Sequence, residues 1–237
     1  MSATEWRGPS DDPNGPDGHI PSMQRLAFAL LLVLAACSSA VASDGVPYGQ
    51  TLSFVVMRQG QPIGSHKLTF ERDGNHLKVS TSIDLAVKLV GITAYRYSHR
   101  AQEVWDGDAL ASLTSRTDDD GKAYAVQANR TAEGIVVQAQ GAGRIVLPAT
   151  IIPSSHWNVR QVTQTILLNT QKGNEARVKI TALGREAVKT SSTTLQATHY
   201  RYDDDIKMDQ WFDDLGRWVK MSFAGSDGST IDYVLQE

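Results

Sequence analysis

The run Pro153-Ser154-Ser155-His156-Trp157-Asn158 sets two hydroxyls beside an imidazole and an indole. With a carboxylate from Asp203-Asp204-Asp205, Ser155, His156 and Asp204 are the residue types of a nucleophile, its base and an orienting group. Direct adjacency works against that reading. Neighbouring side chains rarely meet in hydrogen-bonding geometry, and no GxSxG elbow surrounds the serine. The same six residues also suit a structural role, with Ser154 or Ser155 as a helix N-cap and Trp157 inserted into a barrel mouth.

Other candidate chemistry is thinner. The acidic triplets at 118–120 and 203–205, with Asp213-Asp214, lack the spacing of a calcium loop. Consecutive side chains of an extended chain point apart, so these runs read as solvated turns. His66, His76, His99, His156 and His199 show no HExxH spacing, and Cys37 is the only cysteine, so no metal is expected. Tyr95, Tyr97 and His99 share one face of a strand and read as a buried hydrogen-bonded layer or a ligand wall. No GxGxxG or GxxxxGK[ST] occurs, which argues against a nucleotide and against any cofactor. The net charge is −3 over 237 residues with signs interspersed, so no basic footprint marks a nucleic-acid partner.

The positioning elements follow a period of two. In His76 to Leu89, Leu77, Val79, Thr81, Ile83, Leu85, Val87 and Leu89 alternate with Lys78, Ser80, Ser82, Asp84, Ala86 and Lys88. Such a strand is about 45 Å long at about 3.3 Å per residue. That length suits a strongly curved sheet. Asp73-Gly74, Asp106-Gly107, Asp120-Gly121, Gly141, Gly173, Gly216 and Gly228 punctuate the chain as hairpin turns. The expected fold is all-β: a long-stranded, strongly curved antiparallel meander of ten to twelve strands, an open or incomplete β-barrel, with one short helix near the mouth. The helix falls in 148–171, where it would plug or cover the concave side. The similar phrases headed by Trp105 and Trp211 are explained by repetition of one hairpin type. Past the second of them, Val219, Met221 and Phe223 fall on one strand face, which puts Trp218 on the other.

Residues 1–22 are rich in Pro, Gly and Asp and read as disordered, or as sequence ahead of a true start at Met23. Residues 23–42 have the order of a secretory signal peptide. Leu34-Ala35-Ala36-Cys37 resembles a bacterial lipobox, whose cysteine is acylated. Cleavage after Ala42 is the alternative and discards Cys37. Residues 43–47 then form a linker, and 48–237 a single domain. Either account implies export: acylation of Cys37 anchors the protein at the outer membrane, and cleavage after Ala42 releases it to the periplasm.

Ser115 to Lys122, Ile151 to Asn158, Leu167 to Gly173 and Asp209 to Leu235, with Gly60 to Phe70 and Thr93 to His99, resemble the signature blocks of an uncharacterised family of secreted bacterial proteins, domain of unknown function 6134. The resemblance spans nearly the whole mature chain and implies no activity, cofactor or catalytic residue. More distantly, the architecture is similar to the open barrel of periplasmic lipoprotein carriers. That similarity rests on architecture alone; with the apolar face of the long strand 77–89, it suggests a non-enzymatic envelope protein holding a lipid, another amphiphile or an envelope partner in its concave face. The residues themselves offer Tyr95, Tyr97, His99, His156, Trp157 and Trp211 as ligand contacts. A hydrolase built on Ser155, His156 and Asp204, and a small outer-membrane β-barrel, are the alternatives.

Overall fold

The computed structural model describes residues 46–236. The expected disorder of 1–22, the signal peptide, Cys37 and most of the linker lie outside them. Fourteen strands follow one another: β1 (Thr51–Arg58), β2 (Gln61–Asp73), β3 (His76–Leu89), β4 (Ile92–Asp106), β5 (Ala109–Asp119), β6 (Lys122–Thr131), β7 (Gly134–Ala139), β8 (Ile145–Leu147), β9 (Ile166–Leu168), β10 (Glu175–Lys189), β11 (Thr194–Asp204), β12 (Met208–Asp213), β13 (Trp218–Ala224) and β14 (Thr230–Gln236).

All fourteen join one antiparallel sheet in the order β8-β7-β6-β5-β4-β3-β2-β1-β14-β13-β12-β11-β10-β9. The sheet curls into a nearly closed barrel whose one unsealed seam lies between β8 and β9. Strand alternation decides what fills it. Leu77, Val79, Thr81 and Ile83 of β3 are buried, while Lys78, Ser80, Ser82 and Asp84 point outward. Register carries the inner rows across the sheet, as in Phe70↔Val79↔Glu103↔Leu113↔Ala128↔Val137. The result is one contiguous core, including Phe54, Leu68, Trp105, Ile152, Leu168, Tyr202 and Trp218.

The strand count exceeds the expected ten to twelve partly because β8 and β9 have three residues each, too few to show a period. Between them the chain turns inward. Leu168 N–H donates to Ile152 O and Ser154 N–H to Leu168 O, so residues 152–154 lace the free edge of β9 in a parallel sense. Ile151, Ile152 and Trp157 are buried in the core cluster. This segment is the plug of the barrel. Its helix is a single 3₁₀ turn, Val159–Thr163, and the N-cap is Asn158, whose side chain accepts from Arg160 N–H, rather than Ser154 or Ser155. Both serines are instead drawn into the packing, Ser154 Oγ accepting from Thr170 N–H and Ser155 being buried.

The turn after β9 reaches across the seam. Ser115 Oγ of β5 donates to Thr170 O at 2.5 Å. A Cβ on Gly173, at φ +73°, would lie 2.8 Å from Ala139 Cβ and 3.1 Å from Val126 Cγ1, so only glycine permits this approach to β6 and β7. At the other end of the chain, Val46 packs on the core, and Tyr48 stacks on Phe70 at 5.1 Å. Tyr48 Oη donates to Trp157 O and accepts from Trp218 N–H, which ties the start of the domain to the plug.

Trp218 corrects the strand reading. Pairing runs Gln210↔Met221, Trp211↔Lys220 and then Phe212↔Trp218, so Val219 is an extra residue in a β-bulge. The slip turns Trp218 inward with Met221, where it is fully buried against Phe54 at 4.1 Å.

Candidate functional site

Three strands and the plug deliver polar groups to the barrel interior. From β4 come His99 and Glu103; from β2 comes His66; from β12 comes Gln210; the plug contributes Ser155, His156 and Gln161. All of these except His156 are at least 90 % buried as whole residues, and the His156 Nδ1 atom is buried as well. Glu103 Oε2 accepts from Trp105 Nε1 at 2.8 Å and from Trp157 Nε1 at 3.1 Å. The two indoles meet edge to face at 5.5 Å. Burial pushes the Glu103 carboxyl up from its ordinary value, partly offset by Ser155 and the two indole donors, so the group is held towards its neutral form.

His156 has φ +71°, and its carbonyl accepts from both Gln161 Nε2 at 2.9 Å and Gln210 Nε2 at 2.8 Å. Two glutamines from different parts of the chain therefore fix one peptide of the plug. The imidazoles are held neutral. Burial carries His66 well below its usual value, with His156 and His99 adding to the effect. His156 is lowered to about 4 by burial and by His99, and His99 to about 4 by burial and by Arg100. His99 Nδ1 lies 2.8 Å from Thr117 Oγ1. Both nitrogens of His66, His156 Nδ1, Glu103 Oε1, Ser155 Oγ, Gln161 Oε1, Gln210 Oε1, Tyr202 Oη and Thr81 Oγ1 are buried with no full-geometry hydrogen bond. Interior groups of this kind are ordinarily satisfied, so their number marks the polar interior of the barrel as unusual.

The residues singled out in the sequence separate accordingly. Tyr95, Tyr97 and His99 do share the inner face of β4, with Tyr95 Oη donating to Asp119 at 2.7 Å. His156 and Trp157 enter the barrel on the plug. Trp211 is not brought to them. It lies on the opposite face of β12 from Gln210, stacked on His199 at 4.2 Å, with Lys220 Nζ 4.3 Å above its ring and Glu186 accepting from its indole. Ser155 is beside Glu103, whereas Asp204 sits at the exposed end of β11 within 4.0 Å of Arg177. The nucleophile, base and orienter of the hydrolase alternative are thus not assembled. Among the described residues, no three metal-ligating side chains converge.

Glu103, His66 and the two glutamines were missed by sequence reasoning. The signal was present for Glu103: it shares the inner face with His99, Ala101 and Trp105, an odd place for a carboxylate.

Where the plug meets the barrel mouth it leaves an open cleft of about 400 Å³. Its apolar walls are Leu77, Trp105, Trp157, Val159 and Leu215, and Arg72, Asp108 and Arg160 stand at its rim. Leu215, at the β12–β13 turn, is 70 % exposed. Arg160 is braced by Asp108, donating to its main-chain oxygen at 2.8 Å.

A family model for a domain of unknown function, DUF6134, matches residues 54–236. Among solved structures, the chain is similar to a protein described as a beta-barrel-like protein of domain of unknown function DUF1849 from Brucella abortus. The two share 12 % identity with a TM-score of 0.56, over 79 % of this chain and 94 % of that one, a likeness of fold alone. No curated protein matches the sequence.

Proposed function

We propose, for a chain that belongs to the DUF6134 family of domains of unknown function, a non-enzymatic role in the cell envelope: it binds an amphiphile at the barrel mouth. The observation that carries this reading is the cleft between Leu77, Trp105, Trp157, Val159 and Leu215, with Arg72 at its rim and Arg160 there too, ion-paired with Asp108 at 3.3 Å. Apolar clefts with a few polar groups at the edge are the usual form of small-molecule sites. The concave face itself is taken up by the plug, so the ligand site moves from the barrel's interior to its mouth. A hydrocarbon tail lies along the indoles and Leu215, and an anionic head faces Arg72 and Arg160.

About eight methylenes in the cleft, at about 0.8 kcal/mol each, contribute about 6 kcal/mol, which corresponds to a Kd of tens of micromolar. The test is a titration of the purified protein with a long-chain fatty acid, followed by indole fluorescence. The expected result is saturable binding in that range, abolished by Leu215→Asp, an exposed position whose change leaves the fold intact. Absence of saturable binding, or equal binding by the Leu215→Asp variant, overturns the proposal.

The outward rows of β2 to β7 do not favour the outer-membrane barrel. Thr69, Ser80, Gln102, Thr114, Gln127 and Gln138 follow one another across the outer face, where a lipid-facing belt is apolar.

A further inference from the structure

That outer face is hollowed into a groove of about 970 Å³, distinct from the mouth cleft. Register builds it as two transverse rows. The first is Thr69↔Ser80↔Gln102↔Thr114↔Gln127↔Gln138, six uncharged side chains that each donate and accept. Five strand spacings of about 4.8 Å make this row about 24 Å long. None of the six side chains is committed to a hydrogen bond with another described residue, so their donors and acceptors face the groove.

The second row runs beside it as Lys67↔Ser82↔Arg100↔Arg116↔Ala125. Arg100 is committed to Asp84 of the next row, at 2.7 and 2.8 Å. Asp118, on that same outer row, accepts from Gly121 N–H. Lys67 and Arg116 have no ion-pair partner among the described residues, and no acidic side chain lines the groove. One wall of a long neutral polar trough therefore carries two uncommitted cations.

We infer that this groove is a second binding site, for a linear acidic polysaccharide. Side-chain amides and hydroxyls, which offer donor and acceptor together, match the hydroxyls of a sugar chain, and the cationic wall matches carboxylates along one of its edges. An extended polypeptide fits less well. Peptides join sheets through unpaired strand edges, and their side chains need apolar pockets. Here the strands β2 to β7 are paired on both sides, and the apolar lining is confined to small residues and Val126.

The experiment is calorimetric titration of the purified protein with polygalacturonate, with dextran as the neutral polysaccharide and polyacrylate and polyglutamate as non-sugar polyanions. Polygalacturonate is expected to bind, and the other three to bind at least tenfold more weakly. Gln127→Ala and Arg116→Glu, both at exposed positions, are each expected to weaken binding at least fivefold with unchanged melting temperature. Gln138→Ala is the substitute should either variant melt early. Leu215→Asp is expected to leave polysaccharide binding unchanged, which separates this site from the mouth cleft. No binding of polygalacturonate, equal binding of polyacrylate or polyglutamate, or groove variants without effect overturns the inference.

Discussion

Acid sensitivity is set by the histidines that the plug and barrel bring together. His99 and His156 are both lowered to about 4 in the folded protein, against about 6.5 in an unfolded chain. A depressed folded-state value means that the unfolded chain takes up protons first. Stability is therefore complete above about pH 6.5, is lost as pH falls below it, and the loss levels off near pH 4. At pH 5 the linkage relation gives about 2 kcal/mol lost for each of the two, about 4 kcal/mol together, a large share of the ~5–15 kcal/mol typical of a folded domain. His66 adds to the loss. Glu103 acts with opposite sign, since its raised value favours the folded state as pH falls towards the ordinary carboxylate range. The perturbation that isolates one term is His156→Asn, because asparagine tolerates the positive φ of this position. Urea unfolding followed by tryptophan emission at pH 7 and pH 5 is the assay. The variant is expected to lose about 2 kcal/mol less than the parent between the two. An identical loss in both proteins would refute the claim that a buried, neutral His156 is coupled to folding.

Three further outcomes rest on single contacts. Trp157→Ala removes the plug's largest buried side chain and is expected to cost about 3–5 kcal/mol, read as a fall in the urea midpoint. Glu103→Gln keeps an acceptor for Trp105 and Trp157 and is expected to stay within about 1 kcal/mol of the parent at pH 7. Glu103→Leu orphans two buried indole N–H groups at about 1–3 kcal/mol each, and thermal melting distinguishes the pair. Deleting Val219 removes the bulge but leaves Trp218 opposite Phe212 and two positions before Met221, so the indole is expected to stay on the inner face with an unshifted emission maximum, while loss of the buried Val219 side chain costs about 1.5–3 kcal/mol.

Much of the fold is legible because period two and glycine turns are local signals. The alternation in β3 and the turns at Gly74, Gly107 and Gly121 required no tertiary knowledge. The bulge at Val219 was hidden because the run Trp218 to Phe223 scans as unbroken alternation. Only the partner strand reveals that Trp211 meets Lys220 and Phe212 meets Trp218. The capping role passed from the serines to Asn158 because the plug's path inside the barrel, rather than local propensity, decides which residue starts the turn. Glu103 was overlooked for a related reason. A charged residue is ordinarily assigned to water, and its tolerance inside depends on two indoles, one of them 54 positions further along the chain.

The strand order also has a temporal side. The seam lies in the middle of the chain, between Leu147 and Ile166, whereas Ser53 pairs with Gln236 in the interior of the sheet. Every ribbon from β1 to β8 can zip in order as it is made, but β1 keeps a bare edge until β14 has been synthesised. Closing a loop of that length before any contact rewards it makes the last step slow, and the waiting edge is a template for pairing with other molecules. A nascent chain of this topology therefore benefits from a holding chaperone until its final strand arrives, and truncations at its C-terminal end are expected to aggregate rather than to fold as shorter barrels.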